Sequence, residues 1–199
     1  MLALESQVLL GTRNPGKLRE IQEVLRDLGL VFVSLADFPD VKDIEETGST
    51  FAENARLKAQ HYREATGLAS LADDSGLLVD ALGGLPGVKS ARFAPTDPER
   101  VAKVLELMRP FPNPEQRTAH FVCALCLATS DGFIEVEGRV SGLLALEPSG
   151  SNGFGYDPIF YYPPEGKTFA EMAAEEKNRV SHRSAALALL RNELRKRSH

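Results

Sequence analysis

The chain has 199 residues, 43% of them hydrophobic, so it is long enough to bury a core within a single domain. Its formal net charge of −5 at pH 7 argues against a general nucleic-acid binder, because binding to duplexes depends on clustered Lys and Arg. The chain does not start with a basic segment followed by a long apolar run, and no stretch approaches the roughly 18 apolar residues that a membrane span needs. We therefore expect a cytoplasmic protein that binds neither nucleic acid nor membranes.

Strands and helices alternate in the predicted secondary structure of the first half. Short apolar runs predict strands over 8–11, 31–35 and 68–72. The first helix begins at Asn14 and Pro15, which suit an N-cap and a first helical turn. The second helix begins at the capping box of Thr50 and Glu53 and ends near Gly67.

The second half adds a helix, a hairpin and a final helix. The helix begins at 97–98, where Asp precedes Pro. The runs 118–128 and 133–141 flank a Ser-Asp-Gly turn and predict a hairpin. Ser181 caps the last helix. Together with the strands of the first half, the hairpin predicts an α/β fold with a mixed sheet.

Cys123 and Cys126 form a C-x-x-C pattern, which in a redox protein would lie at a helix start. Here the pattern lies inside the predicted strand, which places the two thiols on opposite faces of the sheet. We interpret both cysteines as core residues without a redox or metal function.

Two adjacent carboxylates, Asp73 and Asp74, follow the apolar run 68–72. Their mutual repulsion is costly unless a cation, solvent or hydrogen-bond donors offset it, and strand ends are where α/β enzymes place catalytic groups. A metal-assisted site is therefore one hypothesis. Successive strand side chains point to opposite faces, so one carboxylate faces the site while the other braces the following turn. An acidic cap between strand and turn is the alternative.

The segment from Gly11 to Lys17 lies between the first strand and the first helix. Backbone N–H groups at a helix start, together with a hydroxyl, an amide and an ammonium, suit a polyphosphate. The segment also matches most of the P-loop pattern, but Leu18 stands where that pattern requires a magnesium-binding hydroxyl. The alternative is a capped turn with an exposed lysine.

Glu46 precedes the second predicted helix, which carries Asn54 and Lys58. Combined with Asp74, Glu46 could complete an oxygen-ligand site for Mg²⁺. The alternative is a favourable contact between a carboxylate and a helix dipole, with Lys58 simply solvated.

Two further segments carry groups suited to a flat ligand. The glycine-flanked loop 150–158 lets the backbone approach closely, and Phe154 offers a stacking face. The stretch 177–183 is rich in donors, namely Lys177, His182 and Arg183. The alternatives are a plain turn with a buried phenylalanine and a solvated helix face.

Taken together, these motifs resemble the inosine/xanthosine triphosphate pyrophosphatase family, whose members hydrolyse non-canonical purine nucleotides. Seven motifs stand in order: T-R-N-P-G-K (12–17), E-E-T-G-x-T-F-x-E-N-A-x-L-K-A (45–59), A-D-D-S-G-L (72–77), L-G-G-x-P-G-x-x-S-A-R (82–92), G-F-G-Y-D-P-I-F (153–160), G-K-T-F-A-E-M (166–172) and K-N-x-x-S-H-R (177–183). The resemblance implies one domain over 1–199 with a mixed central sheet, two lobes around an active-site cleft, and a homodimer.

The resemblance also implies which residues form the site. The triphosphate would be bound by Thr12, Arg13, Asn14, Pro15, Gly16, Lys17 and Lys58. Mg²⁺ would be held by Glu46 and Asp74, and Asp74 would also accept a proton. Ser75 would contact the nucleotide. The base and sugar would be bound by Phe154, Gly155, Tyr156 and Asp157, with Lys177, His182 and Arg183 reading the purine edge and Arg92 near the base.

The expected reaction is Mg²⁺-dependent hydrolysis of ITP, dITP or XTP to the nucleoside monophosphate and pyrophosphate. No Ser-His-Asp or Cys-His arrangement in the sequence indicates a covalent nucleophile, and phosphoryl transfer does not need one. Two alternatives stay open: a P-loop-like NTPase that releases orthophosphate, and a nucleotide-binding regulator without catalysis.

Overall fold

The computed structural model describes residues 7–197. Within them, seven strands form one sheet: β1 Gln7–Leu10, β2 Val31–Ser34, β3 Ala69–Val79, β4 Thr118–Thr129, β5 Gly132–Leu144, β6 Phe160–Tyr162 and β7 Lys167–Thr168, in the order β2-β1-β3-β4-β5-β6-β7. β1 pairs in parallel with β2 and β3, whereas β6 is antiparallel to β5 and β7. The predicted mixed α/β sheet is confirmed.

The described residues also form five α-helices: α1 Pro15–Leu25, α2 Phe51–Thr66, α3 Asp97–Leu107, α4 Ala174–Val180 and α5 His182–Arg197. The capping box of Thr50 and Glu53 and the left-handed Gly67 bound α2 as predicted. α3 begins at Asp97 and Pro98 as predicted, and its N-cap is Thr96. The short helix α4 was not predicted; it carries Lys177, the first residue of the donor-rich stretch 177–183.

The pairing of the sheet corrects the prediction that a strand ends at the two carboxylates. β3 continues through Asp73 and Asp74 to Val79. It is β1 that ends there: its last pair with β3 joins Leu10 to Leu71, and the N–H of Gly11 then donates to the Leu71 carbonyl at 2.7 Å. The carboxylates therefore lie beyond the end of the neighbouring strand, where the β1–α1 loop begins.

Two compact units make up the chain. Unit 1 comprises residues 7–74, 123–138 and 183–197, and unit 2 comprises residues 75–122 and 139–182. The strands β3, β4 and β5 each contribute residues to both units. Each unit buries its own hydrophobic core, so each has packing that holds its site residues in place.

In unit 1, apolar side chains of β1, β3, β4, α1 and α5 form the core; they include Leu10, Ile21, Leu71, Leu125 and Leu187. This packing fixes α1 against the strand that precedes it, and so fixes the loop between them. In unit 2, the core combines α3 with aromatic rings that include Phe121, Tyr156, Phe160 and Phe169. Phe121 and Phe160 lie 4.5 Å apart between ring centroids.

Cys123 and Cys126 are both buried in β4, and burial raises the pKa of each thiol to about 12. Protonated, buried thiols pack as small apolar groups, which agrees with their interpretation as core residues. No helix in residues 7–197 is long and apolar enough to cross a membrane.

Candidate active site

The first group of candidate residues lies in unit 1, where β1 leads into α1. Asn14 is the N-cap of α1: its side-chain oxygen accepts the N–H groups of Gly16 at 2.9 Å and Lys17 at 3.1 Å. Thr12 Oγ1 in turn accepts the N–H of Asn14 at 3.1 Å. The sequence suggested that backbone donors here face a phosphate, but the loop itself already uses these donors. Pro15, which follows Asn14, has no N–H to offer.

Arg13, next in this loop, contacts the segment that leads to Glu46. Its Nη2 donates to the Val41 carbonyl at 2.9 Å, and its Nε lies 3.5 Å from Asp43. The Tyr62 hydroxyl also donates to Asp43, at 3.1 Å, and burial with this carboxylate raises the pKa of Tyr62. A side chain at Gly11 would place its Cβ 2.6 Å from the Tyr62 ring, so this close packing needs a glycine.

A chain of three charged side chains braces Lys17. Lys17 Nζ lies 2.8 Å from Asp73 Oδ2, and the Arg183 guanidinium contacts both Asp73, at 3.4 Å, and Glu20. The side chain of Arg183 is only 1% exposed. Burial alone would raise the pKa of Asp73, but Lys17 and Arg183 hold it well below its usual range. Although burial disfavours a charged Arg183, Asp73 and Glu20 raise its pKa and keep it charged.

The second charge cluster joins Glu46, Lys58 and Asp74. Lys58 Nζ lies 2.7 Å from Glu46 Oε1 and 3.5 Å from Asp74 Oδ1. Burial would lower the pKa of Lys58, but the carboxylates of Asp73, Asp74 and Glu46 raise it, so the ammonium stays charged. Burial raises the pKa of Asp74 above its ordinary value, and Lys58 only partly opposes this. Two carboxylates thus converge on one buried cation.

The donor set of this cluster fits a magnesium ion. Carboxylate oxygens are the ligands that Mg²⁺ prefers, and Glu46 and Asp74 already surround a cationic group. In the part of the chain that the structure describes, no three His, Cys, Asp or Glu side chains are arranged to hold a metal alone. Mg²⁺ at nucleotide sites is held by one or two carboxylates together with substrate phosphates, which this pair allows.

The remaining candidates lie in unit 2 and centre on Asp157. This buried carboxylate accepts Lys177 Nζ at 2.6 Å and the N–H of Phe154 at 2.9 Å. Lys177 Nζ also lies 4.7 Å from the centre of the Phe154 ring. A side chain at Gly153, where φ is +77°, would collide with Asp157, so the loop reaches this carboxylate only with glycine there.

The other predicted contacts in unit 2 have structural partners. Tyr156 belongs to the core, and its hydroxyl donates to the Ser90 carbonyl at 2.9 Å, so little of its side chain is left for a ligand. The N–H of Gly155 donates to Asp97 at 2.8 Å.

His182 is buried and stacks on Phe121 with 4.7 Å between centroids. Ser75, on β3, is half-buried, and Arg92 is exposed at the end of a 3₁₀ turn.

The structure brings together a Ser-His-Asp set that the sequence did not indicate. His120 Nδ1 lies 2.9 Å from Ser141 Oγ, and its Nε2 lies 3.2 Å from Asp80. In serine hydrolases the ring has the opposite orientation, with Nε2 toward the serine and Nδ1 toward the carboxylate. We therefore assign His120 a structural role, in which it links β4 to Ser141 on β5 and to Asp80 in the turn after β3.

Of two buried polar residues at the site, the sequence did not indicate Glu20, and it placed Asn54 beside Lys58 without giving it a role. Glu20 is the second partner of Arg183, and Asn54 donates to Asp74 at 3.0 Å. Both are buried, and both lie on helix faces beside a predicted lysine: Glu20 follows Lys17 by three residues, and Asn54 precedes Lys58 by four. That spacing places each pair on one helix face and could have indicated them.

A mixed α/β sheet therefore carries a helix-start loop at the end of β1 and a pair of carboxylates, Glu46 and Asp74, on one lysine. The model of the Ham1 family matches residues 8–193, and the chain belongs to this family. Two similar proteins are the dITP/XTP pyrophosphatases of Thermus thermophilus, 54% identical over 92% of this chain and 89% of that protein, and of Shigella flexneri, 48% identical over 95% and 98%. The resemblance found in the sequence is confirmed.

Solved structures of the same family share the fold. The HAM1 protein from Coxiella burnetii is similar with a TM-score of 0.88 at 46% identity, covering 96% of this chain and 98% of that one. The nucleoside-triphosphatase / dITP/XTP pyrophosphatase from Mycobacterium abscessus has a TM-score of 0.76 at 46% identity, covering 92% and 97%.

Proposed function

We propose that this chain is a cytoplasmic, homodimeric enzyme that hydrolyses ITP, dITP and XTP to the nucleoside monophosphate and pyrophosphate, with Mg²⁺ as cofactor. The observation that carries the proposal is the convergence of Glu46 and Asp74 on the buried Lys58. The names of the dITP/XTP pyrophosphatases that are 54% and 48% identical to this chain support the substrate class.

The triphosphate is assigned to the β1–α1 loop. Lys17 has three N–H donors and Asp73 accepts one, so two donors remain for phosphate oxygens while the ion pair holds the side chain in place. Thr12 and Arg13 add a hydroxyl and a guanidinium. Asn14, Pro15 and Gly16 form the turn, and Lys58 supplies a further cation. A phosphate oxygen that replaces Asn14 Oδ1 would also gain the N–H groups of the first helical turn.

Asp74 is assigned as the proton acceptor. Glu46 and Asp74 would hold Mg²⁺, which would supply charge neutralisation at the phosphate oxygens. The Asp74 carboxylate takes a proton from the water whose oxygen forms the new bond to the α-phosphorus. The bond between the α-phosphorus and the bridging oxygen breaks, and pyrophosphate leaves with that oxygen. Lys17 and Lys58 hold the phosphate charge as it develops.

The purine and sugar are assigned to unit 2. Phe154 offers a ring face for stacking, and Lys177 and the N–H groups around His182 offer donors to a 6-oxo group. Asp157 fixes both Phe154 and Lys177, so it sets the geometry of this pair. Ser75, Arg92, Gly155 and Tyr156 complete the proposed nucleotide contacts, and the Tyr156 contribution is through its backbone.

The first prediction concerns the products of ITP hydrolysis. If water attacks the α-phosphorus, pyrophosphate and the nucleoside monophosphate form together. Phosphorus NMR of the reaction distinguishes them from orthophosphate and a diphosphate, and removing Mg²⁺ with EDTA should stop the reaction reversibly. Initial release of orthophosphate would favour the P-loop-like alternative, and no release from any purine triphosphate would favour a regulator.

The second prediction concerns Asp74→Asn, which keeps the shape of the side chain but removes its charge and its capacity to accept a proton. Turnover of ITP should fall by about a hundredfold or more. The fold should persist because Lys58 keeps Glu46 as its partner. Asp131→Asn, an exposed change in the turn between β4 and β5, is the matched control. Near-normal turnover of Asp74→Asn at saturating Mg²⁺ would show that Asp74 is structural.

A further inference from the structure

Glu46 lies on a segment, residues 38–50, that contains no helix or strand. No backbone ladder therefore positions this carboxylate, and its place depends on side chains of neighbouring elements. At the start of the segment, Arg13 and Tyr62 both contact Asp43. Lys58 holds the Glu46 carboxylate itself, and the contacts at the other end of the segment set the path of the backbone that carries it.

Asn54, on the first turns of α2, holds that other end. Its Oδ1 accepts the N–H of Gly48 at 2.7 Å, and its Nδ2 donates to Asp74 Oδ2 at 3.0 Å. The residue is fully buried, so water does not compete for either bond. This orientation of the amide is the one that satisfies both partners, because an N–H needs an acceptor and a carboxylate needs a donor. One side chain thus links Asp74 to the backbone two residues after Glu46.

The packing around this link leaves no space for another residue at position 48. A Cβ on Gly48 would lie 2.6 Å from Asn54 Oδ1 and 2.8 Å from Glu53 Cβ. The backbone of the segment comes close enough to bond Asn54 only because residue 48 is glycine. The hydrogen bond from the Gly48 N–H to Asn54 therefore requires glycine at position 48.

We propose that Asn54 is a positioning residue that holds the Glu46 segment against Asp74 and thereby sets the affinity of the site for Mg²⁺; this inference rests on the proposed function. Asn54 donates to Oδ2 of Asp74, whereas Oδ1 faces Lys58 Nζ at 3.5 Å. The amide therefore determines which oxygen turns toward the cation that Glu46 also contacts. As a neutral group it orients the carboxylate without competing with a cation for the site.

Asn54→Ala tests the proposal through metal dependence. The Mg²⁺ concentration for half-maximal ITP turnover should rise by about tenfold or more, the usual cost of removing a group that orients a metal ligand. Mn²⁺ binding to the nucleotide-free protein, followed by electron paramagnetic resonance, should weaken by a similar factor. Both are measured on protein whose thermal unfolding shows that it is folded.

A second variant disturbs the same bond from its other side. Gly48→Ala leaves Asn54 in place but pushes its amide away from the backbone, so it should raise the Mg²⁺ and Mn²⁺ requirements in the same direction. Thr66→Ala is the matched control, because it removes a hydrogen bond from α2, to the Tyr62 carbonyl, about 18 Å along the helix from Asn54. The control should lose thermal stability. It should not change the Mg²⁺ concentration for half-maximal turnover or the Mn²⁺ concentration for half-maximal binding.

The outcomes separate this inference from the proposed function. One outcome would overturn the role of Asn54. In it, Asn54→Ala and Gly48→Ala both reach half-maximal turnover and half-maximal Mn²⁺ binding at metal concentrations within twofold of those of the unchanged protein. If Asp74→Asn is inactive in the same experiment, the proposed function still stands. An unchanged protein that binds no Mn²⁺ would contradict the assignment of Glu46 and Asp74 as metal ligands, and the inference would fall with it. A shift in Thr66→Ala equal to that in Asn54→Ala would show a merely structural effect.

Discussion

ATP should be a far poorer substrate than ITP, with a ratio of kcat/KM values that approaches about 10⁴. In the proposed base site, Lys177 and the backbone N–H groups around His182 would offer only donors to the edge of the purine. Hypoxanthine and xanthine present a 6-oxo acceptor there, whereas adenine presents a 6-amino donor. Binding of ATP would bury unmatched donors against one another, which hydrogen-bonding sites reject strongly.

The measurement is kcat/KM for ITP, XTP, GTP and ATP under one set of conditions. GTP keeps the 6-oxo group and should be discriminated against less strongly than ATP. Lys177→Met is the informative variant, because it keeps an apolar side chain over Phe154 but removes the donor. It should lose ITP activity more than ATP activity. ATP turnover within tenfold of ITP turnover in the unchanged protein would contradict the assignment of these donors.

Arg183→Ala should lower the free energy of unfolding by about 3–5 kcal/mol, the usual cost of leaving a buried charge without its partner. The variant would leave two carboxylates, Asp73 and Glu20, without the guanidinium that neutralises them. Most domains have only about 5–15 kcal/mol of total stability, so a large fall in thermal midpoint is expected. Arg191→Ala, on the same helix but half-exposed beside Asp27, should cost less than about 1 kcal/mol.

Arg183 also has two assignments that kinetics can separate. If Arg183 reads the purine edge, as the resemblance implies, Arg183→Ala reduces ITP turnover selectively. The ratio of ITP turnover to ATP turnover then falls. If it braces Lys17 through Asp73, both activities fall in equal proportion, and we expect this result from its contacts. Arg183→Lys retains a positive charge and supplies folded protein for the comparison. A selective loss of ITP turnover would return Arg183 to the base site.

The local features of the site could be predicted from the sequence. The N-cap Asn14, the capping box of Thr50 and Glu53, and the glycine loop before Asp157 each depend on residues within a few positions of one another. Such patterns carry their own physical reason, because caps and turns satisfy backbone groups locally.

The partners of the buried charges could not be predicted in this way. Glu20 and Arg183 are 163 positions apart, and no periodicity connects them. The extent of β3 beyond Asp74 was missed because its later pairing depends on strands elsewhere in the chain. The helix α4, only seven residues long, is too short for its hydrophobic pattern to be distinctive.

The way in which the two units share the chain restricts how its gene can change. The polypeptide passes between units after residues 74, 122, 138 and 182, within β3, β4, β5 and α5. Neither unit is encoded by one continuous stretch, so recombination with a single breakpoint cannot exchange one unit for that of a relative without splitting a secondary-structure element or a core.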